Sequence, residues 1–139
     1  MQVRRQIDLD ADLARVWQAL TDPEELGDWL GGLVDLEMRP GGNGIVVDDE
    51  GTRRHALIGE VEPERRLSLR WWPADGAGFD ATVSEVTFEL CPTEAGTRLV
   101  VTETPLEPTS PQASIGKAAY WEARLDTLWL RVSAAALVS

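Results

Sequence analysis

Few side chains in this 139-residue chain are of types that do chemistry, and the scarcity narrows what it can do. It holds one histidine, His55, and one cysteine, Cys91. Together they cannot assemble a nitrogen and sulfur zinc site, and no run of carboxylates has the spacing of a calcium loop. Gly41-Gly42-Asn43-Gly44 lacks the Lys-Ser/Thr ending and the strand-to-helix setting of a phosphate loop. Asn-Gly between strands reads as a hairpin turn instead. No cofactor is expected. In a strand expected over 53–62, His55 shares parity with Leu57 and Val61, which places it on the inner face. An imidazole there would suit a general base or a ligand contact. No nucleophile or partnering carboxylate is identifiable beside it, so a strand-end histidine bonded to backbone or water is the preferred reading.

Arg5 and Glu103 make a subtler pair. Arg5 shares parity with Val3, Ile7 and Leu9, and Glu103 with Leu99 and Val101. If the first and last strands are antiparallel neighbours, the two charges meet on the inner face, where they could orient a ligand head group. The plainer alternative is an ion pair at the sheet's rim, worth little. Six of the nine aromatic residues are tryptophans. Trp17, Trp29, Trp71 and Trp121 fall on expected inner faces, and Trp72 and Trp129 on the opposite parity or flank. Any single one is better read as core than as a ligand wall. Taken together, Trp71 and Trp121 facing each other are the best candidates to line a cavity. Strand parity adds Leu57, Val86, Phe88, Leu99 and Val101, and the last helix adds Leu125 and Leu128.

These residues need elements to position them. Val3, Ile7 and Leu9 alternate with polar residues, which predicts a first strand near 2–9. Asp10 is placed to cap a helix with Leu13, Val16, Trp17 and Leu20 on one face. Asp22-Pro23-Glu24-Glu25 starts a second helix that carries Leu26, Trp29 and Leu30 up to Gly31-Gly32. Strand patterns follow near 33–39, 44–48, 53–62, 66–72, 82–91 and 97–104. The connectors are Pro40 to Gly44, Asp49-Glu50-Gly51, Pro63-Glu64, Asp75-Gly76-Ala77-Gly78 and Thr93 to Gly96, each with Gly or Pro. Pro105, Pro108 and Pro111 mark a linker into a final helix, which Ser110 or Ser114 could start. Its apolar residues Trp121, Leu125, Leu128 and Val132 recur every three or four positions. Such a helix after a run of antiparallel strands belongs on the sheet's inner face. The expected fold is α+β: a seven-stranded curved antiparallel sheet gripping a long C-terminal helix, with two short helices between strands 1 and 2. Residues 1–139 are expected to form a single domain of this kind.

Charge and composition exclude further classes. Net charge −11 and a pI near 4.4 argue against nucleic acid and against anionic lipid. One cysteine allows no internal disulfide, the first residues carry no signal-peptide segment, and no apolar stretch approaches a membrane span. A cytoplasmic location is expected. The 24 acidic residues, among them Glu85, Glu89 and Glu94, are read as a solvated surface.

The block from Ile7 to Leu26 through Trp29 resembles the opening of the START-like, or SRPBCC, superfamily. More narrowly, it is similar to bacterial homologues of the activator of the ninety-kilodalton heat-shock chaperone ATPase. Pro40-Gly41-Gly42, the stretch from Gly59 to Leu67 through Trp71, Gly96-Thr97-Arg98-Leu99 and the closing helix with Trp121 and Leu125 fit the same pattern. The resemblance spans nearly the whole chain and implies a helix-grip domain with an inner cavity. Its members include lipid carriers, hormone binders, polyketide cyclases and chaperone activators, so fold alone does not assign function. The leading expectation is non-enzymatic binding of a small apolar or amphipathic molecule between sheet and helix. The alternatives are a protein-interaction module resembling the chaperone activators, and, last, a cyclase- or hydrolase-like enzyme using His55 or the Arg5 and Glu103 pair.

Overall fold

The structure, a computed structural model, describes residues 2–48, 50–74, 83–106 and 111–138, with side chains from 115 to 133 in the last stretch. In chain order the elements are β1 (Val3–Leu9), α1 (Leu13–Thr21), α2 (Pro23–Leu30), β2 (Leu33–Leu36), β3 (Asn43–Val47), β4 (Arg53–Glu62), β5 (Arg66–Pro73), β6 (Ser84–Pro92), β7 (Thr97–Pro105) and α3 (Pro111–Val138). The strands form one curved antiparallel sheet in the order β1-β7-β6-β5-β4-β3-β2. The first strand therefore does pair with the last. The expected reversal at Asp75 to Gly78, and Asp49, Pro108, Ser110 and the Ser114 side chain, lie outside the described residues.

Local chemistry explains most boundaries. The cap of α1 is Asp12, not Asp10: its carboxylate accepts from the Arg15 backbone N–H at 2.8 Å. The Asp10 N–H instead donates to the Ser133 hydroxyl, which ties the far end of α3 to the end of β1. Asp22 caps α2 by accepting from Glu24 N, Pro23 occupies the first turn, and Gly31 at φ 87° closes the helix. The Trp29 indole donates to Ala19 O at 2.9 Å and clamps the two helices together. The expected Asn-Gly turn lies earlier than its sequence suggests. Gly41 takes the positive φ, whereas Asn43 and Gly44 already belong to β3. Gly44 serves close approach, since a Cβ there would lie 1.9 Å from Asp35 O.

The departure with most consequence is in β4. The register runs Ile58 opposite Leu69 and then Val61 opposite Leu67, so one extra residue is inserted near Gly59 and Glu60. The Ser68 hydroxyl accepts from Glu60 N at 2.9 Å and holds the bulge. Parity reverses across it. Val61 faces the core, but before the bulge the inward residues are Arg54, Ala56 and Ile58.

The face of α3 formed by Trp121, Leu125, Leu128 and Val132 is buried, and with Val86, Phe88, Leu99 and Val101 it forms the centre of the core. At about 25 cal/mol per Å² of apolar surface, this contact is the main force holding helix to sheet. Among the described residues, no helix is long and apolar enough to cross a membrane.

Candidate functional site

Strand register lays out the inner face in rows. One row runs Ala56, Trp71, Ser84 and Pro105, and the next runs Ile58, Leu69, Val86, Glu103 and Val3. Over these rows α3 sets Trp121 parallel to Trp71, with centroids 5.8 Å apart and planes inclined by 13°. Phe88 meets Trp121 edge-on at 5.8 Å and Trp29 edge-on at 6.3 Å. Tyr120 does the same to Trp71 at 6.5 Å. The expected opposition of Trp71 and Trp121 is thus present as a stacked pair within an aromatic cluster.

A carboxylate sits at the centre of that cluster. Glu103 is 2% exposed and accepts from Trp121 Nε1 at 2.9 Å, Trp71 Nε1 at 3.3 Å and Lys117 Nζ at 3.0 Å. Three donors, one of them charged, offset the cost of removing it from water. Its expected partner is elsewhere. The register puts Val3 opposite Glu103 and Arg5 opposite Val101, and the exposed Arg5 guanidinium turns back to Arg4 O. A two-residue offset separates the expected pair from the real one.

Next to this centre lies a cationic edge. Arg54 stacks over Trp71 at 4.8 Å and near Tyr120 at 5.5 Å, and its Nη1 donates to Asp48 Oδ2 at 2.8 Å. Asp48 is itself buried and accepts from Glu50 N and Thr52 N, so its carboxylate is held in place. Arg124 lies over the other side of the cluster, 4.4 Å from the Tyr120 ring. Burial pushes the Tyr120 phenol up to about 12, against the opposing pull of the Arg54 guanidinium beside it. Ser84 completes the row at 1% exposure, and its hydroxyl has no hydrogen-bond partner among the described residues.

Of the residues expected to line a cavity, Trp29, Trp71, Val86, Phe88, Leu99, Val101, Trp121, Leu125 and Leu128 are buried on the inner side. His55 and Leu57 are not. The β4 bulge turns both to the outer face, where His55 lies 5.9 Å from Trp72 and Leu57 is 40% exposed. This removes His55 from any inner chemistry. Trp129 packs against the core, so it shares no outer patch with Trp72. Sequence reasoning missed Arg54, Ser84, Lys117, Tyr120 and Arg124. A signal for two of them was present: Lys117, Trp121, Arg124 and Leu128 recur at helical spacing, which puts two cations on the buried face. A separate groove of about 590 Å³ runs along 10–14 and 92–96; its lining has no aromatic ring and no basic side chain.

The family described as "Activator of Hsp90 ATPase homolog 1-like protein" matches residues 10–130. No curated protein matches the chain. Among solved structures, protein MLL2253 from Mesorhizobium loti is similar, with 26% identity and a TM-score of 0.80 over 92% of this chain and 93% of that one. CalU16 from Micromonospora echinospora is 28% identical with a TM-score of 0.72, over 95% of this chain and 74% of its own. DynU16, from the dynemicin biosynthetic locus, is 25% identical with a TM-score of 0.78, over 91% of this chain and 45% of its own.

Proposed function

The chain belongs to the family of Activator of Hsp90 ATPase homolog 1-like proteins, and within it we propose a non-enzymatic module that binds a small apolar or amphipathic molecule between the sheet and α3. The observation that carries this is the inner row where aromatic walls meet buried polar atoms, one of which, the Ser84 hydroxyl, is unmatched among the described residues. A purely structural core has little use for such a group, since an unsatisfied buried hydroxyl costs stability that an alanine would not. A ligand that supplies the missing bond gives it a purpose. The similarity to DynU16, a protein from a biosynthetic locus, agrees with a small-molecule role. Residues 1–139 act as one unit in this reading, and net charge −11 with a single cysteine suits the cytoplasm. An enzymatic role is disfavoured because His55 faces outward and Glu103 already accepts from three donors.

The test is titration with N-phenyl-1-naphthylamine, an apolar fluorophore. Saturation at one site with quenching of indole emission supports the reading, at an affinity of about micromolar once ligand ordering is subtracted. Binding only to partly unfolded protein would refute it.

One observation favours a second reading, a protein-interaction module. Register places Ile45, His55 and Trp72 in one outer row, with Leu57 and the 65% exposed Leu33 in flanking rows. Elsewhere the outer face is crossed by ion pairs, Arg70 with Glu85, Arg66 with Glu89 and Arg98 with Asp8. Stimulation of a chaperone ATPase that Leu57→Asp abolishes would move this reading into first place.

A further inference from the structure

We propose that Arg54 and Ser84, on either side of Trp71, form a head-group subsite that selects an amphipathic anion, an apolar ring system carrying an acid group, over its uncharged counterpart. The inference rests on the ligand-binding reading above and names the class of ligand. It starts from a contrast of charge. The chain as a whole is strongly acidic, yet the inner face gathers three cations, Arg54, Lys117 and Arg124, around two buried carboxylates, Asp48 and Glu103.

The three cations differ in what they can still do. Lys117 is committed to Glu103. Arg124 is buried against Tyr120. Arg54 is half-buried, and among the described residues its hydrogen bond uses Nη1 alone, to Asp48. A guanidinium stacked on a ring keeps its N–H edge directed in its own plane, so Nε and Nη2 can grip two oxygens of one acid group. Asp48, fixed by two backbone N–H groups, holds the guanidinium in place before any ligand arrives, which lowers the ordering cost of binding. Ser84 lies opposite Trp71 and Trp71 opposite Ala56, with Arg54 two residues further along β4, so two strand spacings and two residue rises, ~12 Å, separate the Arg54 and Ser84 backbones across β5. A molecule about two fused rings long would pass along the edge of Trp71, whose faces are occupied by Trp121 and the Arg54 guanidinium, place its acid at Arg54 and offer a neutral polar group to the Ser84 hydroxyl.

Two probes separate these claims. 8-Anilinonaphthalene-1-sulfonate and N-phenyl-1-naphthylamine share one ring skeleton and an anilino N–H, and only the first has an acid group. The folded chain should bind the sulfonate about tenfold or more tightly than the neutral probe, the scale of a charge-assisted hydrogen bond. Arg54→Gln should erase that preference, and Arg54→Lys should recover part of it. Ser84→Ala should weaken the neutral probe, whose N–H is free to reach that hydroxyl, and not the sulfonate, whose N–H lies beside the acid group held at Arg54. Near-UV circular dichroism of the stacked indoles checks that each variant is folded, and the lysine variant serves if the glutamine one is not. Neutral-probe binding without sulfonate preference, or a preference that survives both Arg54 variants, overturns the subsite while ligand binding stands. Neutral-probe affinity untouched by Ser84→Ala removes Ser84 from it. Failure of both probes to saturate overturns the parent reading instead.

Discussion

Replacing Glu103 by glutamine tests whether a buried carboxylate organises the centre of the grip. The two side chains are nearly isosteric, so packing is preserved and only hydrogen-bond capacity changes. The carboxylate oxygens receive three donors: Oε2 takes Trp71 Nε1 and Lys117 Nζ, and Oε1 takes Trp121 Nε1. An amide has one oxygen. Turned toward Trp71 and Lys117, it sets its NH₂ against the Trp121 N–H and orphans that donor. A buried donor without a partner costs about 1–3 kcal/mol. Loss of the charge on Glu103 adds to this, but the Lys117 side chain is 20% exposed and can recover water. The sum should therefore be about 3 kcal/mol, at the lower edge of the ~3–5 kcal/mol for breaking a fully buried pair. With a urea slope of about 2 kcal/mol per molar, the midpoint should fall by roughly 1.5 M. Tryptophan emission reads the transition, and Lys117→Met combined with Glu103→Gln should cost less than the two single changes summed. A midpoint within about 0.2 M of the parent, well inside the shift worked from that slope, would refute the three-donor arrangement.

Leu125→Asp places a carboxylate in the buried contact of α3 with the sheet, and should lower stability by several kcal/mol, of the order of the whole margin of a small domain. An unchanged denaturation midpoint would show that the helix does not grip. Tyr120 is the only tyrosine, so its absorbance titration is unambiguous. Because burial raises its folded pKa to about 12, the stability it contributes is intact below the unfolded value of about 10 and is lost as pH rises through 12. Tyrosinate forming near 10 in the folded protein would contradict this. His55→Gln on the outer face should leave the midpoint unchanged and preserve any activity assigned to the interior; a hundredfold fall in such an activity, within the reach of general acid–base catalysis, would restore His55 as a catalyst.

The architecture was legible because it rests on signals that do not depend on register. Asp22-Pro23 capping, the glycine break after Leu30 and the spacing of Trp121, Leu125, Leu128 and Val132 are local facts, and each holds in the fold. The site was less legible because it depends on register. Alternation in β4 was anchored on Leu57 and Val61, but the bulge at Gly59 and Glu60 lies between them, so both His55 and Leu57 received the wrong face. The same error hid Arg54, since a charged residue at a strand's start is expected outside. Arg5 had the correct neighbouring strand and a two-residue error in pairing. Glu103 was correctly placed inward, yet its partners come from β5 and α3, whose docking no single-strand pattern encodes.

The central claim is that a small molecule binds between the sheet and α3, and the indole N–H resonances test it most directly. Six tryptophans give six such signals in isotope-labelled protein. Two of them, from Trp71 and Trp121, report hydrogen bonds to Glu103 inside the grip. The Trp72 ring lies beside His55 on the outer face. Titration with N-phenyl-1-naphthylamine should shift the Trp71 and Trp121 signals together, saturating at one equivalent, while Trp72 stays where it was. A shift confined to Trp72, or inner signals that never move while the protein remains folded, would contradict the claim.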